Sequence, residues 1–371
     1  MRAAPGQAWR LVYTRSPTLA SAAAKTGSVA YTVFPSLSNP RLFVDDMGWK
    51  WVWPLARPTR RSRSVPWRAL ALLARARPIR RLLPCMIVPR DHHRQFIEDL
   101  IGSSIRSMSF LLGSDGPERK LVAQIVTDDR VSGYLKIADD STGRWLLRNE
   151  RAVLEGISGE FNDLGPAVKA YVEEAGLTYL YTSEVSGGRA PTRITETHAT
   201  FLRSLIGGSR VAFEGTDPFA RIEAATHLNP QFQRLWEAAR PYADPLEFHS
   251  AIIQGDFAPW NILRHGPSMR AVDWEYGAVL GIAGVDAVHF YTNVALLLRK
   301  WTAARAADEL ERHIVGASTL PGFSELYVEG ERRAVAILAL LFDVATGLVA
   351  TDGVVSPTNA TKLLIVARLL K

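Results

Sequence analysis

The chain has 371 residues, one cysteine and a net charge of +7, from 44 Lys and Arg against 37 Asp and Glu. Cys85 alone excludes a disulfide framework and, with it, cysteine-rich zinc sites. A hydrophobic share of 47% and a charged share of 22% fit a globular protein large enough for two or three compact parts. The segment Ala334–Ala350 carries Asp343 near its middle and reads as a buried helix rather than a membrane span. Ala20–Ala24 is too short for a secretory apolar region, so the expected location is cytoplasmic.

In chain order, Val29–Phe34 is the first strand candidate. Trp49, Trp51 and Trp53 alternate with Lys50 and Val52, which on a strand would put three indoles on one face. Between Arg57 and Arg94 there are eleven Arg and one acid, Asp91, so this stretch is +10 by itself and the remainder sums to −3. It reads first as a solvated, Arg-rich helix over Val65–Arg81. Its alternative use is peripheral contact with an anionic membrane from the cytoplasmic side. Nucleic acid is disfavoured, because no aromatic-basic module of known type accompanies it. A short helix follows at Arg94–Ile101.

From Ser107 the texture changes. Ser109–Leu112, Leu121–Thr127 and Gly133–Ala138 read as three strands joined by polar turns, the first turn running from Gly113 through Gly116 to Lys120. Helices are expected at Arg144–Ile157 and Gly165–Glu174, then a strand at Thr178–Val185. Beyond Pro191 the pattern is helical at Ile194–Leu205, Pro218–Thr226, Pro230–Ala239, Val285–Thr302, Ala304–Val315, Glu331–Ala350 and Asn359–Leu370. A β interlude at Ala251–Glu275 interrupts it.

That interlude carries the chemistry. Asp256 is followed five residues later by Asn261 and then by a short apolar strand, the spacing of a kinase catalytic loop. A turn at His265–Ser268 returns the chain to Val272 and Asp273. Folding that hairpin puts Asn261 nearly opposite Val272, within reach of the cation that Asp273 can bind. An amide oxygen and a carboxylate are hard ligands suited to Mg²⁺ held against phosphates. Asp256 is then placed to accept or orient a proton from a substrate hydroxyl. Lys136 sits mid-strand, where an ammonium needs a partner. Glu150 falls on the apolar face of the next helix and is the nearest carboxylate to serve it. Such a pair fixes the α- and β-phosphates of a nucleotide. The turn bearing Gly113 and Gly116 lies where a phosphate-covering loop belongs.

Residues of about 107–350 resemble the aminoglycoside phosphotransferase and choline kinase family, the small-molecule branch of the protein-kinase-like fold. The resemblance is carried by Gly255-Asp256 with Asn261, by Asp273-Trp274-Glu275, and by Gly284-Val285-Asp286-Ala287-Val288-His289-Phe290. It implies Asp256 as catalytic base, Asn261 and Asp273 as Mg²⁺ ligands and Asp286 as a structural buttress. It also implies Glu184-Val185 as the hinge that holds adenine. Within the family, the motifs look most like phosphotransferases of bacterial surface-polysaccharide synthesis. The sequence departs from the pattern at Gln254, where the family usually has His.

The expectation is therefore an α+β, bilobal kinase-like fold with an antiparallel-sheet N-lobe and a mainly helical C-lobe. An Arg/Trp-rich extension would span 1–105, the ATP-binding N-lobe 106–188 and the C-lobe with the acceptor site 189–371. The expected function is ATP- and Mg²⁺-dependent phosphoryl transfer to a hydroxyl of a small molecule or glycan. The alternative is a non-catalytic nucleotide-binding scaffold that works through its basic N-terminal region.

Overall fold

The computed structural model describes residues 12–14, 28–35, 40–45, 48–51, 85–89, 92–113, 120–158, 163–316 and 325–371. The chain divides into two compact units. One comprises residues 1–147 with 168–184, and the other 148–167 with 185–371. The Arg57–Arg94 stretch, the Val65–Arg81 helix, Trp53 and Gly116 lie wholly or largely outside the described residues.

The first unit is built on one antiparallel sheet. Its strands are β1 (Val12–Thr14), β2 (Ser28–Pro35), β3 (Pro40–Asp45), β4 (Cys85–Pro89), β5 (Ser107–Leu112), β6 (Leu121–Thr127), β7 (Arg130–Ala138), β8 (Val168–Glu174) and β9 (Leu177–Ser183). They lie in the order β1-β4-β2-β3-β5-β6-β7-β9-β8. The strands before residue 105 thus hydrogen-bond into the sheet that the sequence reading began at residue 106. Leu42 faces Leu111 and Phe43 faces Phe110 across the β3–β5 seam. Asp45 locks that seam: its buried carboxylate accepts from Ser107 Oγ at 2.7 Å and from Met108 N at 3.0 Å.

Period-two alternation buries both faces. Tyr31, Val33, Phe110, Ala123, Ile125 and Leu135 share one face with Ile97 of helix α1 (His92–Ile101). Leu42, Val44 and Trp49 pack on the other with Leu111, Val122 and Tyr134. Trp49 reaches it from a 3-10 turn at Gly48–Lys50 and not from a strand. The cause is local: the Asp45 carboxylate accepts the Gly48 N–H and turns the chain.

A second expectation also fails here. Val168–Glu174, read as a helix, is strand β8, paired along its length with β9. The turn between them places Ala175 and Gly176 at φ 52° and 84°. Glycine there supplies the left-handed backbone of a tight hairpin.

Helix α2 (Ser141–Gly156) begins in the first unit and ends in the second. The second unit adds strands β10 (Gly188–Arg189), β11 (Ile206–Ala212), β12 (Glu247–Ile253), β13 (Ile262–His265), β14 (Ser268–Ala271) and β15 (Ala278–Ile282). They form two small sheets, β10-β13-β14 and β11-β12-β15. Its helices are α3 (Glu196–Ser204), α4 (Asp217–Thr226), α5 (Pro230–Ala243), α6 (Val285–Asn293), α7 (Ala303–Leu310), α8 (Glu329–Ala350) and α9 (Pro357–Leu369). α6 runs on into a π turn over Val294–Leu298, where the sequence pattern had implied one longer helix. Helix α8 is long and apolar enough to cross a membrane, yet 78% of its apolar window is buried inside the fold. Its Val335, Leu338, Leu341 and Leu348 form the centre of the core with Phe232, Trp236 and Leu363.

Candidate active site

The site grows out of the end of β12. Residues Gln254, Gly255 and Asp256 leave the strand and enter a loop pinned by its own apolar side chains. Phe257, fully buried, stacks on Phe201 at 5.4 Å and meets Phe290 at 5.9 Å. Gly255 has φ 84°, and a Cβ there would come within 2.3 Å of the Tyr276 carbonyl oxygen. Only glycine fits. The loop closes with Asn261 N donating to Ala258 O at 2.9 Å, and β13 starts at once.

The β13–β14 hairpin pairs Ile262 with Ala271 and His265 with Ser268. Val272 N donates to Asn261 O at 2.9 Å, which sets Asn261 directly across from Val272 and one residue from Asp273. Asn261 Nδ2 donates to the Asp256 carbonyl at 3.0 Å and to Asp256 Oδ2 at 2.6 Å. Since its nitrogen serves Asp256, its amide oxygen is the atom left for another partner. Asp273 has φ 57°, a left-handed backbone uncommon for a residue with a side chain.

Gln254 supports this turn from beneath. Its Nε2 donates to Val272 O at 2.9 Å and Asp273 O at 2.7 Å, while its Oε1 accepts from Asp256 N at 2.9 Å. One side chain therefore joins both halves of the site. Asp286, at the start of α6, accepts from Gln254 N at 2.7 Å and Gly255 N at 3.0 Å. Burial pushes its carboxyl up to about 6, with those hydrogen bonds opposing the rise.

The segment after Asp273 is held just as firmly. Trp274 is fully buried and donates from Nε1 to Ala271 O at 2.9 Å. Asn149 Nδ2 donates to Glu275 O and Gly277 O at 2.8 and 2.9 Å. Arg221 Nη1 donates to Tyr276 O at 2.7 Å, and Nη2 to Gly277 O at 2.5 Å. Burial pulls the Arg221 guanidinium down to about 10.

Behind Asp256 lies a buried chain of charges. His289 Nε2 is 3.1 Å from Asp256 Oδ1, its Nδ1 is 3.0 Å from Asp343 Oδ2, and Lys362 Nζ bonds that same Asp343 oxygen. Asn293, one turn beyond His289, also meets Nε2. Sequence reasoning missed Asp343, Lys362, Arg221 and Asn149 as parts of a site. The available signal was the charge itself: Asp343 and Lys362 each interrupt an apolar helix.

The remaining sequence candidates lie on other elements. Lys136 is buried in β7 of the first unit, and Glu150 is buried on the part of α2 that belongs to the second. Gly113 lies at the end of β5, where its N–H donates to Lys120 O at 2.9 Å and its carbonyl accepts from Arg41. Glu184 is the last residue of the first unit and Val185 the first of the next segment of the second. Among the described residues no group of three or more His, Cys, Asp or Glu is arranged to hold a metal. The donor set Asn261 and Asp273 still suits Mg²⁺, which keeps waters and substrate phosphates as its other ligands.

Among solved structures, the chain is similar to a thermostable mutant of aminoglycoside phosphotransferase APH(4)-Ia, in ternary complex with AMP-PNP and hygromycin B. Identity is 14%, coverage is 75% of this chain and 97% of that one, and the TM-score is 0.50. It is similar also to a putative fructosamine-3-kinase from Haemophilus somnus, with 11% identity, coverage of 75% and 97% and a TM-score of 0.44. For the ADP-bound aminoglycoside phosphotransferase APH(2'')-Ib these values are 11%, 76% and 97%, and 0.43. The fold is the kinase-like fold of the aminoglycoside phosphotransferases. No family model matches the sequence, and no curated protein does.

Proposed function

We propose that this protein is an ATP- and Mg²⁺-dependent phosphotransferase whose acceptor is a hydroxyl of a small molecule or glycan. The observation that carries the reading is the fixed Asp256 carboxylate. Asn261 holds one of its oxygens at 2.6 Å, and Asp273 lies beside Asn261 across the hairpin. In this reading Asp256 orients the acceptor hydroxyl and receives its proton, the role a kinase catalytic-loop carboxylate fills. Asn261 and Asp273 would hold Mg²⁺, which supplies charge neutralisation for the phosphates. Lys136, Glu150 and Gly113 keep the parts in nucleotide binding that the family resemblance implies, and Glu184-Val185 the part of hinge.

The chemistry asks little of the protein beyond positioning and electrostatics, because the phosphoryl transition state is loose. A rigid carboxylate, a rigid amide and a strained Asp273 backbone meet that requirement. The experiment is a screen for acceptor-dependent ADP formation over aminoglycosides, ketosamines, free sugars and lipid-linked sugars, with Asp256→Asn as control. Lipid-linked sugars test the surface-polysaccharide link that the motifs suggest. Binding of Mg·ATP with no acceptor-dependent turnover across the panel would favour the non-catalytic scaffold.

A further inference from the structure

The reading of Asp256 as the hydroxyl-facing carboxylate leaves the charge chain behind it without a use. His289 is 6% exposed and Lys362 3%, so neither is tuned by solvent. Among the described residues, the charged groups that act on the imidazole come from four segments. Asp256 comes from the catalytic loop, Asp286 from its own helix α6, Asp343 from α8 and Lys362 from α9. Both ring nitrogens point at carboxylate oxygens, at 3.1 and 3.0 Å. A neutral imidazole has a single N–H and would set a lone pair against one of those anions. A ring protonated on both nitrogens satisfies both, and the charges then alternate in sign from Asp256 to Lys362. The Asn293 amide must present its oxygen to Nε2 in that state, an assignment that the heavy atoms alone leave open.

Burying charged groups such as His289 and Lys362 is a poor way to stabilise a fold, since apolar residues of similar volume commonly do as well. The chain of charges ends on the carboxylate that the proposed chemistry uses to receive the acceptor proton. Its two oxygens are held from two sides, Oδ1 by the His289 ring and Oδ2 by Asn261 Nδ2. A carboxylate restrained this way cannot rotate, so its remaining lone pairs keep one direction.

We infer that His289, held doubly protonated by Asp343, whose carboxylate Lys362 fixes in turn, is a positioning residue that fixes the Asp256 carboxylate toward the acceptor hydroxyl. This rests on the proposed phosphotransferase reading. Burial and the Lys362 ammonium oppose charge on the ring, yet Asp343 and Asp256 outweigh them and push the imidazolium up to about 9.

The test uses the full-length protein labelled with ¹⁵N-histidine, with the His289 signals identified by their loss in His289→Gln. Both ring nitrogens of His289 should remain protonated at about pH 8, where an ordinary histidine is neutral. Asp343→Asn and Lys362→Met should each lower kcat about tenfold or more, with the ATP KM changed less than about threefold. Lys362→Arg should restore most of kcat, and Asp343→Asn should bring the His289 titration below about pH 7. A His289 ring with one bare nitrogen at neutral pH in the wild-type protein overturns the inference. So does an unchanged kcat in a folded Asp343→Asn variant whose ring has lost its second proton. The nitrogen signals require no acceptor and no nucleotide. Failure of Asp256→Asn to affect transfer would overturn the phosphotransferase role of Asp256, and the ring's protonation would still be read separately. If Asp343→Asn does not fold, the wild-type titration and Lys362→Met carry the test.

Discussion

Gln254 holds Asp273 by its backbone: the glutamine Nε2 donates to the Asp273 carbonyl at 2.7 Å while Asp273 sits at φ 57°. A non-glycine residue in that region persists only when its surroundings over-determine it. Gln254 is fully buried and also bonds Val272 O and Asp256 N. Truncating it strands three backbone groups at once. Gln254→Ala should therefore cost about 1–3 kcal/mol of stability for the orphaned groups. It should also weaken Mg²⁺-dependent nucleotide binding, because Asp273 loses its anchor. Denaturant titration gives the first and the thermal shift by Mg·ATP the second. An unaltered Mg·ATP shift in the variant would mean that the Asp273 turn is held by other contacts.

Asp256→Asn should nearly abolish phosphoryl transfer, by roughly 10²–10⁴-fold, the usual cost of removing a positioned acid or base. Binding of Mg·ATP should stay within a few-fold, because the proposed cation ligands are Asn261 and Asp273. Calorimetric titration of ATP into wild type and variant separates the two effects. A variant that no longer binds nucleotide would show that Asp256 belongs to the metal site instead.

The hairpin that carries these residues was legible from sequence because its information is local. Asn261, the turn at Gly266 and Asp273 lie within 13 residues, and strand pairing across a short turn sets the register. At Val168–Glu174 the alternating Val-Lys-Ala-Tyr-Val pattern is itself a strand signal, against the helix expected there. Pairing with β9 through Ala175-Gly176 decided the outcome. Strand β11 escaped notice because Gly207, Gly208 and Ser209 are poor strand formers, and only its partner β12 makes it one. The sheet order β1-β4-β2-β3 is likewise non-local, since β4 inserts between strands that precede it. Asp343 and Lys362 are 19 residues apart on separate helices. Each is a lone charge in an apolar run, and their meeting, with His289 on the far side of Asp343, is a product of helix packing.

Asp273→Ala should remove the Mg²⁺-dependent part of the thermal stabilisation by ATP, since it deletes the charged member of the proposed donor set. A residual, metal-independent shift is compatible with contacts to the rest of the nucleotide. Scans with ATP in the presence of Mg²⁺ and of EDTA measure the difference. An undiminished Mg²⁺-dependent shift would place the cation elsewhere.

The buried charges also predict how stability depends on pH. His289 rises from 6.5 in the unfolded chain to about 9 in the fold, against the opposing effect of burial, because Asp343 and Asp256 favour its charge. A raised histidine stabilises while protonated, so its contribution is complete below pH 6.5 and is lost as pH climbs through about 9. Asp286 rises from 3.8 to about 6 through burial, so its contribution is complete below 3.8 and is lost as pH rises through about 6. Asp343 has the opposite sign. Lys362 and His289 overcome its burial and hold it well below the ordinary carboxylate range, so its contribution is lost only in strong acid. Unfolding free energy should therefore decline in two steps, through about pH 4–6 from Asp286 and again through about pH 6.5–9 from His289. His289→Gln should erase the second step and leave the first. Denaturant midpoints at half-unit pH intervals measure both. A flat wild-type profile from pH 6.5 to 9 would mean that the imidazole between Asp256 and Asp343 is not a cation in the folded protein.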